Sequence, residues 1–458
     1  MLEASRSQIV WAIPVLIAVC LVVLPAQAQY SGGTGEPNDP YQIATAADLI
    51  ALGETPEDYD KHFLLTADID LDPNLPGGRV FDRAVIAPDT ASAQSGFQGT
   101  AFRGVFEGNG HTISHLTVQG HGYLGLFGRL VGNSGSAGQV KNLGVVDANI
   151  TGTGDYVGGL VGESWGSLTH CYSTGAVSGS YDVGGLIGHN YGFVIRCYST
   201  TSVSGDSVVG GLVGNNMGFV TRCYCGGTVS GSWYVGGLVG NNEGPWGWGP
   251  GGTVSQCYST GAVCGHWCVG GLVGDNVGQS GPGVALGSGD GTVTQCYSTG
   301  AVSGSGSVGG LVGQNTGDWG CAGIVDGCFW DTQTSGQATS AGGTGLTTAE
   351  MQMAKTLLDA GWDFVGEVNN GTHEVWQMPE EGGYPVLAAF AGYTPRELQG
   401  TGTVEDPYLI SDAMDLGAMI YYYDSAMTNP SVCWLDAECV SDFHTRPDFA
   451  VDNTCTAP

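Results

Sequence analysis

The phrase VGGLVG begins at Val157 and returns, once as VGGLIG, at Val183, Val209, Val235, Val269 and Val308, so that successive copies are 26, 26, 26, 34 and 39 residues apart. A second phrase, CYST followed by xVSG, keeps step with it from Cys171 to Gly304. A unit this short cannot bury an apolar face alone. It gains a core only by stacking on its neighbours, so the chain is constrained to an array of like coils. The longer spacings come from insertions at residues 245–252 and 279–291. Both fall between the two phrases, which maps them to loops on one side of the stack.

Each unit has three apolar stretches: VGGLVG, the stretch around CYST, and xVSG. All are strand length, rich in Val, Leu and Tyr, and bounded by Gly, Asn or Ser. None is long enough for a helix. The expected fold is all-β: a parallel β-solenoid, or β-helix, with three short strands per coil and short capping helices. Glycine fills 81 of 458 positions, more than twice the usual ~7%. Collagen is excluded, because the glycines do not recur at every third residue. They are expected at corners needing φ > 0 and where backbones approach closely.

Stacking in register makes ladders of like residues. One is Cys171, Cys197, Cys223, Cys257, Cys296 and Cys328. Beside it run Tyr172, Tyr198, Tyr224, Tyr258 and Tyr297, continued by Phe329. A third, Asn190, Asn216, Asn242, Asn276 and Asn315, has Gly two residues after each member. Asn suits turns because its amide bonds neighbouring backbone, so this ladder is expected at a corner, with amides bonding from coil to coil. Coils ~4.8 Å apart fall within the Cα spacing of a disulfide. Side chains in a parallel stack point the same way, however, and buried free thiols are the expectation. Cys264 with Cys268, and Cys433 with Cys439, are better placed for disulfides. A ladder spreads its ligands along an axis, which disfavours zinc.

The flanks divide the chain further. Residues 1–28 read as an export signal: Arg6, an apolar run over residues 9–24, and the small residues of Ala26-Gln27-Ala28 before a cleavage point. That run is short for a membrane span, so no span is expected in the mature chain, and the destination is the cell surface or the medium. Residues 29–153 read as an N-terminal cap and first coils. There, a helix begins at an N-cap Thr45 and ends at a C-cap Gly53, a period-2 strand covers residues 63–72, and residues 102–118 form a hairpin or coil turning at Asn109-Gly110. The repeat solenoid covers 154–330. A closing segment follows at 331–391, with an amphipathic helix over 348–360. Residues 392–458 start a second cap, since Asp406-Pro407-Tyr408 matches Asp39-Pro40-Tyr41, but no coils follow it.

The balance of 43 acidic to 12 basic residues, net −31, makes nucleic acid and anionic membrane poor partners, and neither is expected. An extracellular glycan or surface protein is compatible with it.

The VGGLVG and CYSTGxVSG units resemble the GLUG-motif repeats of bacterial secreted and surface proteins over residues 122–330. The flanking phrases DPYQIATAADL, FRGVFEGNGHTI and FWDTQTSG resemble the same proteins. Such repeats also occur outside the catalytic domain of IgA-specific metallopeptidases. The resemblance implies an extracellular β-solenoid with adhesive or surface roles and no defined activity. This chain lacks an HExxH zinc motif, so peptidase activity is not implied.

Chemistry-bearing residues are sparse. Gly162-Glu163-Ser164-Trp165-Gly166 matches G-x-S-x-G, but a nucleophile elbow needs a following helix, and Ser164 instead occupies the Asn-ladder position. Polysaccharide-cleaving β-helices need grouped carboxylates, whereas Glu163, Asp182, Asp206, Glu243 and Asp275 are not expected to pair. Asp68, Asp70 and Asp72 share one strand face, as Ca²⁺ ligands or as a solvated outer face. No other cofactor is implied. Trp246 and Trp248, in the first insertion, offer flat apolar platforms for sugar rings, or fold back against the coil. The reading is therefore a non-catalytic structural or adhesive protein binding glycan or protein through its loops. The alternative is a carbohydrate-active β-helix enzyme, a polysaccharide lyase or hydrolase.

Overall fold

The computed structural model describes residues 29–92, 94–133, 136–244, 251–278, 290–317, 322–379 and 381–390. The repeats stack in register as a parallel β-solenoid. One parallel sheet of ten strands runs from Tyr41–Ile43 to Ile324–Asp326. A second, of seven, runs from Phe127–Leu130 to Val312–Gln314. A third system collects the CYST, VSG and pre-VGG segments of every coil. Equivalent residues pair directly, as in Val209 with Val235 and Val235 with Val269. The Val, Ile and Leu residues of the repeated phrase are fully buried from Val157 to Val273 and again at Leu311 and Val312, with Val308 partly buried, and one apolar core runs from Tyr30 to Trp330.

The division of a coil is finer than the sequence suggests. One coil contains strands Trp233–Gly236, Val239–Asn242, Thr253–Ser255, Tyr258–Ser259 and Val263–Cys264. The three apolar stretches thus become five strand segments in three sheets. VGGLVG is not one strand: it bends at Gly237-Leu238, between two strands in different sheets. Its leucine points into the core and its second glycine lies against the next coil. A Cβ on Gly237 would sit 2.1 Å from the Gly271 carbonyl oxygen and 2.4 Å from Ser259 Oγ. Close approach, not φ, demands that glycine.

The left-handed corners are held by other residues. Before the first five ladder cysteines stand His170, Arg196, Arg222, Gln256 and Gln295, with φ between 49° and 53°, while Gly327, at 57°, precedes Cys328. Before each VGG stand Tyr156, Asp182, Val208, Tyr234, Cys268 and Ser307, with φ between 50° and 62°. A non-glycine residue in this region costs ~1–2 kcal/mol. Side-chain bonds along the row offset it: Arg222 Nε donates to Gln256 Oε1 at 3.2 Å, and Gln256 Nε2 to Gln295 Oε1 at 3.1 Å. Glycine would lose those bonds.

The cap differs from the sequence reading in two places. The helix Ala46–Gly53 has Thr45 as its N-cap with a complete capping box, but Glu54 closes it and Gly53 lies inside. A Cβ on Gly53 would meet the Val85 carbonyl oxygen at 2.0 Å. The single strand expected at 63–72 is two, His62–Leu65 and Ile69–Asp70, which join different sheets around a corner. Of the two alternatives for residues 102–118, the structure shows the coil and not the hairpin. Val105–Glu107 and Thr112–Ser114 pair in parallel with neighbouring coils, and Asn109 and Gly110 turn between them with φ of 53° and 78°.

At the other end, Thr344–Leu346 adds a last parallel strand to Phe329–Asp331. The helix expected over 348–360 is broken into Thr348–Met351 and Ala354–Leu358. The chain then turns back along the side of the stack and buries a second apolar cluster. There Trp362, Trp376 and Leu387 cover Tyr258, Tyr297 and Phe329, and Tyr297 Oη donates to the Pro385 carbonyl at 2.6 Å. The tyrosine ladder beneath is parallel-stacked, with centroids 4.8–5.0 Å apart from Tyr172 to Tyr297. Among the described residues no helix is long and apolar enough to cross a membrane. The export signal, Cys433, Cys439 and the second cap lie outside the described residues.

Candidate functional site

Two ladders are internal. Each Asn of the corner row donates from Nδ2 to Oδ1 of the next, from Asn190 through Asn216, Asn242 and Asn276 to Asn315, at 2.8–3.1 Å. Ser164 pairs with Asn190 in register, is fully buried and accepts from the Gly166 amide at 3.3 Å. It caps a turn. The six ladder cysteines are free and buried. Each sulfur from Cys197 to Cys328 accepts the backbone N–H of the preceding ladder cysteine at 3.3–3.4 Å. Burial pushes the Cys171, Cys197, Cys223 and Cys296 thiols far up, which keeps them protonated and inert. Cys264 and Cys268 are also free, against the disulfide expected of them. Cys264 points to solvent from strand Val263–Cys264, while Cys268 is buried and donates to Gln314 Oε1 at 3.0 Å.

The chemistry gathers on a different row, one the sequence reading missed. Arg129, Glu163, His189, Asn215, Asn241, Asp275 and Gln314 are successive register partners in the seven-stranded sheet. Arg129 Nε pairs with Glu163 Oε2 at 2.8 Å. His189 Nδ1 lies 2.6 Å from Asp182 Oδ2. Asn215 Nδ2 donates to Glu243 Oε1 at 3.1 Å. Burial raises the Asp182 carboxyl and His189 partly offsets the rise. Burial and the Glu243 charge push Asp275 up to about 7. As expected, no two of these acids are register partners, although the Glu243 charge reaches both Asp182 and Asp275. Asp206 alone stands apart and exposed. The signal in the sequence was the residue before each ladder Asn, which varies in type and so carries no repeat pattern.

Aromatic rings cover the N-terminal half of this row. Tyr123 packs on Tyr156, Tyr156 on His189, and His189 on Tyr191, with centroids 4.4–5.6 Å apart. Trp165 stacks on Tyr191 at 3.8 Å, and its Nε1 donates to Glu163 at 3.1 Å. On the outer face of the pre-VGG strands, Trp233 and Trp267 pair in register and lie offset-stacked at 5.9 Å and 11°. They are 46% and 41% exposed. Gly306 follows as the next partner, and the Trp267 ring lies over it, 2.4 Å from where a Cβ would stand. Trp246 and Trp248 lie outside the described residues.

In the cap, Asp70 is exposed, but Asp68 and Asp70 already have partners. Asp68 accepts from the Thr112 amide at 2.8 Å and faces His111 at 3.2 Å, while Asp70 lies 2.8 Å from His115 Nδ1. Asp72 accepts from the Asn74 amide and side chain. Among the described residues, no three His, Cys, Asp or Glu side chains are grouped to hold a metal.

The GLUG-motif family model matches residues 153–178 and 231–263. A stretch of 152 residues, 32% of this chain, is 34% identical to Halomucin of Haloquadratum walsbyi. Another of 148 residues, 30% of the chain, is 33% identical to a provisionally named Gly-rich membrane protein of Evansella cellulosilytica. The aligned parts span only 2% and 15% of those two relatives. Among solved structures, a provisionally assigned immunoglobulin A1 protease of Bacteroides ovatus aligns over 78% of this chain and 95% of its own, at 19% identity and a TM-score of 0.46. An IgA1 protease aligns over 65% and 21%, at 16% identity and 0.38. At these scores neither likeness bears on activity. Two of the stacked, in-register coils, at residues 153–178 and 231–263, thus match the GLUG motif.

Proposed function

We propose that this chain is a non-catalytic β-solenoid of the cell exterior, a rigid spacer that binds glycan through side chains carried on its coils. The observation that carries the reading is the Trp233–Trp267 pair: two large apolar rings, nearly parallel, held exposed on adjacent strands of a continuous sheet system. Leaving two indoles in water forgoes their burial energy. Aligned rings on a stiff backbone match the apolar faces of sugar rings. The exterior location draws support from the names of the two relatives, a halomucin and a membrane protein.

The enzymatic alternative draws on Asp182, His189 and Glu163 lying close together. Asp182 is only 2% exposed, and Tyr156 and Tyr191 lie against the His189 ring. A polymer substrate could not reach these groups without displacing those rings. We therefore assign the cluster a structural role.

The test is a glycan array probed with the full chain beside Trp233→Ala/Trp267→Ala and Trp246→Ala/Trp248→Ala variants. Loss of a glycan signal at least tenfold in the first variant supports the reading. Equal binding by all three, or no binding by the unaltered chain, overturns it. Release of new reducing ends or unsaturated sugars from a polysaccharide panel would favour the enzyme instead.

A further inference from the structure

Three side-chain oxygens in neighbouring coils have no hydrogen-bond donor and no water contact: Asn215 Oδ1, Asn241 Oδ1 and Asp275 Oδ1. They are consecutive rungs, Asn215 pairing with Asn241 and Asn241 with Asp275. Asn215 is 4% and Asp275 6% exposed. One orphaned buried acceptor is costly, and a carboxylate more so. Three in succession call for something that supplies positive charge.

Among the described residues, the surroundings do not supply it. Glu243 brings a second carboxylate, accepting from Asn215 Nδ2 and acting by its charge on Asp275. Tyr234 and Cys268 are the other titratable groups that sense Asp275. On one side the next rung, His189, is engaged by Asp182 through Nδ1 and leaves Nε2 without a partner, and on the other Gln314 accepts from Cys268. The centre is therefore lined by acceptors.

We propose that Asn241, Asp275 and Glu243, flanked by Asn215, form a calcium site between the coils that begin at Val235 and Val269. The spacing favours this ion. In-register neighbours in a parallel stack repeat at ~4.8 Å, so an ion midway between two rung oxygens lies ~2.4 Å from each, within the Ca–O range of 2.3–2.6 Å. Magnesium needs ~2.0–2.1 Å and strict octahedral geometry, which a ladder of this pitch does not provide. Zinc prefers nitrogen and sulfur ligands. The bound ion would tie two coils together, so that binding adds to the stability of the stack.

The test uses the full chain, treated with chelator and then titrated with Ca²⁺ by calorimetry and thermal unfolding. Saturable binding with a rise in unfolding midpoint is expected, with no rise for Mg²⁺ at equal concentration. Asp275→Asn and Glu243→Gln, each nearly the same shape as the original, should weaken Ca²⁺ binding at least tenfold while leaving the β circular dichroism unchanged. Asp68→Asn/Asp70→Asn should bind as the unaltered chain does. The proposal is overturned if the unaltered chain binds no Ca²⁺, if Mg²⁺ acts equally, or if the Asp275→Asn/Glu243→Gln double variant retains full affinity.

Discussion

Asn190 donates from its Nδ2 to Oδ1 of Asn216, one coil further on, at 2.8 Å. Asn216 repeats the bond to Asn242 and also accepts from the Gly218 amide at 3.3 Å. Each amide closes the turn of its own coil and ties that coil to the next.

Removing one rung should therefore cost more than one hydrogen bond. Asn216→Ala leaves a buried donor on one side and a buried acceptor on the other, at ~1–3 kcal/mol for each unsatisfied group. A loss of about 3 kcal/mol is expected. Chemical denaturation should show it against Ser204→Ala, at an exposed position, which should stay within ~0.5 kcal/mol. Equal midpoints would show that the ladder does not contribute.

The second glycine of the repeated phrase should not tolerate a methyl group. In Gly211→Ala, the new Cβ would stand 2.2 Å from the Gly237 carbonyl oxygen and 2.3 Å from Cys225 Sγ. Overpacking of this kind costs ~1–3 kcal/mol or more. Gly226→Ala meets nothing closer than 3.6 Å and should be neutral. Soluble yield and thermal midpoint of the two variants check the contrast.

The ladder cysteines should resist alkylation in the folded chain. Maleimide labelling followed by peptide mapping should modify Cys264 within minutes. Cys171, Cys197, Cys223, Cys257, Cys296 and Cys328 should react only after denaturation, because all six are buried out of the reagent's reach. Rapid labelling of any ladder member in the native state would show that the coils open locally.

The cap should carry a pH-dependent contact between His115 and Asp70. Their bond raises the His115 pKa and lowers that of Asp70. A raised histidine stabilises the fold below its unfolded value of ~6.5, and that stabilisation is lost as pH rises through the folded value. A lowered carboxyl stabilises above its unfolded value of ~3.9, and that is lost as pH falls through the folded value. The contact should be strongest between about pH 4 and 6.5. Proton NMR titration should find the His115 pKa lower in Asp70→Asn, and an unchanged value would remove the contact from the account.

The repeats at Val157 through Val308, read without coordinates, determined the stacked parallel architecture and the membership of the Cys, Tyr and Asn ladders. Register follows from periodicity, because identical units present the same residue to each neighbour, coil after coil. Tertiary structure alone decided where the chain bends inside VGGLVG, which non-glycine residues hold the left-handed corners, and that Trp362 and Trp376 fold back over the tyrosine row. It also decided that Glu163, His189, Asn215, Asn241 and Asp275 form one row. These features depend on contacts between residues that differ from coil to coil, and on burial. A repeat pattern records only what recurs, whereas the electrostatics of this row arises from what does not.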